Sequence, residues 1–147
     1  MKKPMNPEDV DFALVEAFHA GDLDAAIELH EPDCVTWALP HEGARLLEGR
    51  DAIRAGFENG LFGITGKMSL IVRHITRAGD LALMRSSWKV VGKLKDGTPV
   101  ELGHSGIEVV RQQADGSWKF AIDHPWGCNP NVNDHFASPP VPGEIVK

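Results

Sequence analysis

The chain has 147 residues, enough for one hydrophobic core and too few for two. It is 42% hydrophobic and 24% charged, with a mean hydropathy of -0.20, the balance of a soluble globular domain. A net charge of -6 and a pI near 5.6 argue against nucleic acid as a partner, because a phosphate-backbone binder needs a clustered basic face.

The start, Met1-Lys2-Lys3-Pro4, runs into polar Asn6-Pro7-Glu8-Asp9 rather than the apolar stretch a secretory signal requires. No apolar run approaches the roughly 20 residues of a membrane span. The expectation is therefore a cytoplasmic protein with no membrane contact. Cys34 and Cys128 form neither a disulfide framework nor a zinc pattern and read as reduced bystanders.

Residues 7 to 20 predict a first helix: Asn6 can cap it, Pro7 fits its first position, and Val10, Leu14, Ala17 and Phe18 recur on one face. Gly21 ends it, and Asp22 caps a short second helix in which Leu23, Ala26, Ile27 and His30 share a side. Pro32-Asp33 is expected to break that helix. Cys34 to Leu39 is strand-like and closed by Pro40, with Leu46 and Leu47 as the second arm of a hairpin. A third helix starts at Gly49 to Asp51, has Ile53, Ala55, Phe57 and Leu61 as its apolar positions, and ends among Gly60, Gly63 and Gly66.

The second half changes character. Residues 68–77, 81–93, 100–113 and 118–124 form long strand-like runs joined by Ala78-Gly79-Asp80, Asp96-Gly97 and Asp115-Gly116, all hairpin turn chemistry. Helices followed by successive hairpins predict an α+β domain: three N-terminal helices packed on a strongly curved antiparallel sheet. The domain is expected to span 1–127. Residues 128–147, with prolines at 130, 139, 140 and 142, read as a tail.

Four strings in order carry a resemblance: Ala20-Gly21-Asp22-Leu23-Asp24, Glu31-Pro32-Asp33-Cys34-Val35, Leu47-Glu48-Gly49-Arg50-Asp51-Ala52-Ile53, and Asp115 to Pro125. Together they resemble the nuclear transport factor 2-like superfamily, and within it the small SnoaL-like and ketosteroid-isomerase-like proteins. The resemblance implies a cone-shaped half-barrel around an apolar pocket, commonly a homodimer paired through the outer face of the sheet. It implies no single activity, since isomerases, cyclases, dehydratases and hydrolases share the fold. In the steroid isomerases the base precedes a proline at the end of the first strand, and a tyrosine of the first helix donates to the enolate. Here Leu39 precedes Pro40 and the chain has no tyrosine, so true steroid isomerase chemistry by that constellation is disfavoured.

Polyketide-cyclase relatives use a pocket Asp or His as acid and base, and the chain offers such groups on its strands. Asp123-His124 ends the last strand and His104 sits mid-strand on its neighbour. An imidazole beside a carboxylate can shuttle protons near neutral pH. Strict alternation places His124 on the apolar face with Trp118, Phe120 and Ile122, and turns Asp123 away. For His104 both strand faces are mixed, so the period leaves its direction open. Trp37 and Trp88 are candidate pocket walls, set against simple core packing, and His41 stands at the mouth, where it meets a ligand or is merely exposed. Trp126 would lid the opening or pack the tail onto the sheet.

Three decoys fall away. His41-Glu42-Gly43-Ala44-Arg45 lacks the second histidine of a zinc-protease motif, Gly103-His104-Ser105-Gly106 closes one residue too early for a nucleophile elbow, and the glycines after the third helix lack dinucleotide spacing. No metal or cofactor is implied. The expectation is a pocket for a small apolar or aromatic ligand, with cofactor-free acid/base chemistry carried by His104, Asp123 and His124. The alternative is a non-catalytic binding or dimerisation module.

Overall fold

A computed structural model describes residues 2–129. The first helix, α1 (Pro7–Ala20), forms where the sequence places it. The Asn6 backbone N–H donates to the Asp9 carboxylate at 3.1 Å, Pro7 occupies the first turn, and Gly21 closes the helix at φ +63° with its N–H on the Phe18 carbonyl. Its buried stripe holds Val10, Leu14, Ala17 and Phe18, and also one carboxylate, Asp11. After α2 (Leu23–Glu28) the chain enters β1 (His30–Trp37), a 3₁₀ turn (Pro40–Glu42), β2 (Leu46–Glu48), α3 (Gly49–Asn59) and a second 3₁₀ turn (Leu61–Gly63). Four strands follow: β3 (Thr65–Ala78), β4 (Leu81–Lys93), β5 (Pro99–Gln112) and β6 (Trp118–His124).

These strands make one six-stranded sheet in the order β2-β1-β6-β5-β4-β3. The expected hairpins β3–β4, β4–β5 and β5–β6 are antiparallel, as is β1–β2. The sheet as a whole is mixed rather than antiparallel, because β1 runs parallel to β6. One helix, α3, and four strands lie between β1 and β6 in sequence, and a return over such a distance allows parallel pairing. The fold is the expected α+β curved sheet with helices on one face, and the sheet does not close.

Two local expectations are corrected. Pro32-Asp33 does not break a helix: α2 ends at Glu28 and the dipeptide lies inside β1, within an irregular stretch between His30 and Val35. His30 accordingly belongs to β1, buried, with Nδ1 2.8 Å from the Ala26 carbonyl. The alternation expected along β6 also fails. Phe120 pairs with Val110 and Ile122 with Val109, which leaves Ala121 as the extra residue of a β-bulge. The bulge turns Asp123 inward, where it is buried, and Ile122 outward, where it is 50% exposed.

The main core lies between α1, α3 and the inner face of the sheet, with Trp118, Phe120, Met84 and Ile53 among its largest members. A second cluster gathers Phe18, Met68 and Val90 toward one end, and a third is built around Trp126. Cys128 and Asn129 continue the fold, since the Cys128 N–H reaches the Ser105 carbonyl and the Asn129 side chain accepts from the Ser105 N–H. The remainder of the expected tail, residues 130–147, lies outside the described residues.

Candidate functional site

Between α1, α3 and the inner face of the sheet lies a cavity of about 70 Å³. One ordered water needs only about 10–15 Å³ by this measure, so the space takes several waters or a group near the size of one ring. Its walls are largely apolar, among them Leu14, Phe57, Met68, Leu70 and Trp88. Set into them are three carboxyl groups whose placement follows from the pleat.

Met84, Glu108, Asp123 and Thr36 are successive cross-strand partners on β4, β5, β6 and β1, so their side chains share the inner face. Glu108 and Asp123 are thus directly opposed on neighbouring strands. Asp11 comes down on them from α1. The three are 2% (Asp11), 3% (Glu108) and 7% (Asp123) exposed, a rare depth for carboxyl groups without a cationic partner. Ser86 Oγ donates to Glu108 Oε2 at 3.1 Å. A Cβ at Gly106 would stand 3.1 Å from both of those oxygens, so the absent side chain there makes room for the contact.

Like charges held this close and this deeply buried cannot all ionise. Burial pushes Glu108 and Asp11 well above the usual carboxylate range, and their mutual contact ties the two titrations together. Burial raises Asp123 likewise, with Glu108 adding to the effect. Asp11 Oδ2 and Glu108 Oε1 are buried and accept no hydrogen bond from outside the cluster. A fourth carboxyl, Glu42, lines the cavity from the turn after β1, half-buried, and burial raises it as well. Such a site can hold one carboxyl protonated beside another that accepts a proton, the requirement for general acid/base work.

Of the residues singled out in the sequence, Asp123, Trp37 and Trp88 line this cavity. His104 lies on the same face of β5 as Glu108, opposite Trp88, with its ring 5.4 Å from that indole. Asn129 spends its amide oxygen on Ser105, so its amide nitrogen faces His104 Nδ1 and leaves the ring proton on Nε2. Burial, then the nearby His41, lowers the His104 pKa. His124 stacks on Trp37 with centroids 5.1 Å apart and meets the edge of Trp126 at 4.4 Å, and burial lowers its pKa too. Neither histidine is among the residues that line the cavity. His41 projects outward with Nε2 3.6 Å from Glu42.

The indole N–H groups serve as staples. Trp126 Nε1 donates to the Ala38 carbonyl at 3.0 Å, and Trp88 Nε1 to the Pro125 carbonyl at 2.7 Å. Both hold the segment after β6 across the end of the cavity wall. Asp11 and Glu108 were not singled out by sequence reasoning. The available signals were a charge within the apolar stripe of α1 and a carboxylate between Gly106 and Val110 on a half-apolar strand face.

A curved sheet folded on a long helix around a pocket is the nuclear transport factor 2-like architecture, and solved structures agree. A ketosteroid isomerase-like protein from Erwinia carotovora atroseptica superposes with a TM-score of 0.69 at 21% identity, covering 80% of this chain and 89% of that one. An NTF-2 like protein of unknown function from Shewanella oneidensis MR-1 gives 0.63 at 18% identity over 79% and 92%. An NTF2-like superfamily protein from Salmonella enterica gives 0.65 at 14% identity over 79% and 84%. At such identities the likeness concerns the fold alone. The SnoaL-like domain family matches residues 12–121, and the chain belongs to that family. No curated protein matches it.

Proposed function

We infer that the protein binds a small apolar or aromatic molecule in the cavity and moves protons on it without a cofactor, with Asp123, Glu108 and Asp11 as the acid/base groups. One observation carries this reading: three buried carboxyls converge on an apolar space, and two of their oxygens have no donor outside the cluster. A purely structural role would supply them with outside donors, since an under-satisfied buried polar atom costs about 1–3 kcal/mol. Trp37 and Trp88 form part of the wall. His104 and His124 hold its surroundings in place, and His41 stands beside the mouth.

The outer face of the sheet supports a homodimer. Val35, Ile122, Val109 and Leu83 are consecutive cross-strand partners, an apolar row across four strands in which Ile122 is 50% and Leu83 40% exposed. A second copy would cover this row.

The test of the catalytic reading is proton exchange. Single-ring compounds that raise the melting temperature are incubated with the protein in heavy water, and loss of their carbon-bound proton signals is followed by NMR. Exchange that vanishes in Asp123→Asn and Glu108→Gln, with binding retained, supports the reading. Exchange equal in wild type and both variants overturns it.

A further inference from the structure

The cavity offers more hydrogen-bond acceptors than donors. Four carboxyl groups line it, from Asp11, Glu42, Glu108 and Asp123, and among the described residues no Lys, Arg or His side chain does. Ser86 already gives its hydrogen to Glu108, and Trp88 gives its N–H to Pro125, which leaves the Thr36 hydroxyl and the Trp37 indole N–H as the lining side-chain donors against eight carboxyl oxygens. A protonated carboxyl still supplies only one donor against several lone pairs, so protonation alone does not fill the deficit. The buried Asp11 Oδ2 and Glu108 Oε1 receive no hydrogen bond from any residue outside the carboxyl cluster, and the contact between the two side chains can fill at most one of them at a time.

We propose that the ligand is a protonated amine: a small apolar or aromatic molecule whose ammonium group sits on Asp11 and Glu108 while its body packs on Trp88, Phe57 and Leu14. This rests on the reading of the cavity as a ligand site. An ammonium brings three donors, no acceptor, and the positive charge that the buried carboxyls lack. Aromatic walls add attraction for a cation. A carboxylate or phosphate on the ligand would meet acceptors and like charge only. A metal ion fits less well, because among the described residues no three His, Cys, Asp or Glu groups are arranged to hold one.

The groups facing the carboxyls set the proton balance. Asp11, Glu108 and Asp123 face one another, Ser86 touches Glu108, and the buried Cys34 thiol lies near Asp123 and more weakly feels Glu31 and Arg50. Glu42 has His41 and Arg45 as its charged neighbours. When the ammonium enters, one carboxyl passes its proton to solvent and the ligand keeps its own, so the added positive charge is matched by one new negative charge. Asp123, the one of the buried three that the ammonium does not occupy, remains to move protons.

Calorimetric titration of the full chain with benzylammonium, benzyl alcohol and benzoate, between about pH 6 and 8 in two buffers of different ionisation enthalpy, tests this. Benzylammonium is expected to bind about tenfold or more tightly than benzyl alcohol, with proton release and with affinity that rises with pH. Glu108→Gln and Asp11→Asn, each checked for folding by thermal unfolding, are expected to erase that preference. If either variant fails to fold, the other and the proton count still decide. Equal affinity for the alcohol, amine binding without proton release, or a preference that survives in the folded variants overturns the amine assignment and leaves the cavity a binding site. Failure of all three compounds to bind overturns both.

Discussion

Replacing Glu108 by Gln keeps the shape of the side chain and removes its ability to ionise. In the wild type this carboxyl lies opposite Asp123, in contact with Asp11, and burial lifts it above the ordinary value of 4.5. Above that pH the unfolded chain has released the proton while the folded chain still holds it. Folding stability therefore falls as pH rises, by about 1.4 kcal/mol per pH unit for each such group. From about pH 5 to 7 the loss reaches roughly 3 kcal/mol for one group, a ceiling because the three carboxyls share their protons. The variant escapes this loss and keeps an amide oxygen that can accept from Ser86, so any forfeited hydrogen-bond energy is about 1 kcal/mol. Urea unfolding followed by tryptophan fluorescence should show near-equal stability at about pH 5 and a variant more stable by roughly 2–3 kcal/mol at pH 7. Parallel pH profiles, or a wild type that gains on the variant as pH rises, would refute the reasoning.

Further outcomes follow from other parts of the fold. His30 packs 5.0 Å from Phe120 and 5.5 Å from Phe57, so His30→Ala should cost about 2–4 kcal/mol at neutral pH by denaturant unfolding. Burial holds this imidazole down to about 4 from its ordinary 6.5, so its contribution is complete above that ordinary value and the gap to the variant should shrink as pH falls toward 4. Trp126→Ala removes a fully buried indole and its bond to Ala38, and should cost about 3–5 kcal/mol in the same measurement. Ile122→Lys places a charge in the apolar row of the outer face and should yield a folded monomer in sedimentation experiments; a wild type already monomeric at high concentration would contradict the pairing surface.

Local chemistry made much of the fold legible. Asn6, Pro7 and Gly21 bound α1 because cap and terminus demands act on neighbouring residues, and the Asp-Gly turns fix the hairpins for the same reason. The inner face of β4, from Ala82 through Trp88 to Val90, was readable from alternation alone. What stayed hidden depends on partners distant in sequence. The parallel pairing of β1 with β6 leaves no local mark, and Pro32 lies within a strand because the irregular stretch there needs no regular ladder. The bulge at Ala121 has no glycine to announce it, yet it decides that Asp123 rather than Ile122 enters the core. Asp11 was obscured because one acidic residue early in a helix reads as ordinary dipole compensation. Its meaning emerges only when β5 and β6 bring Glu108 and Asp123 beneath it.

Site-resolved carbon NMR of the Asp and Glu carboxyls, titrated from acid to alkaline pH, reads the state of this cluster directly. Protonated Glu108 and Asp123 at neutral pH, with Asp11 titrating in concert with Glu108, is the predicted result. All three releasing their protons independently in the range of exposed carboxylates would contradict a buried acid/base site in this cavity.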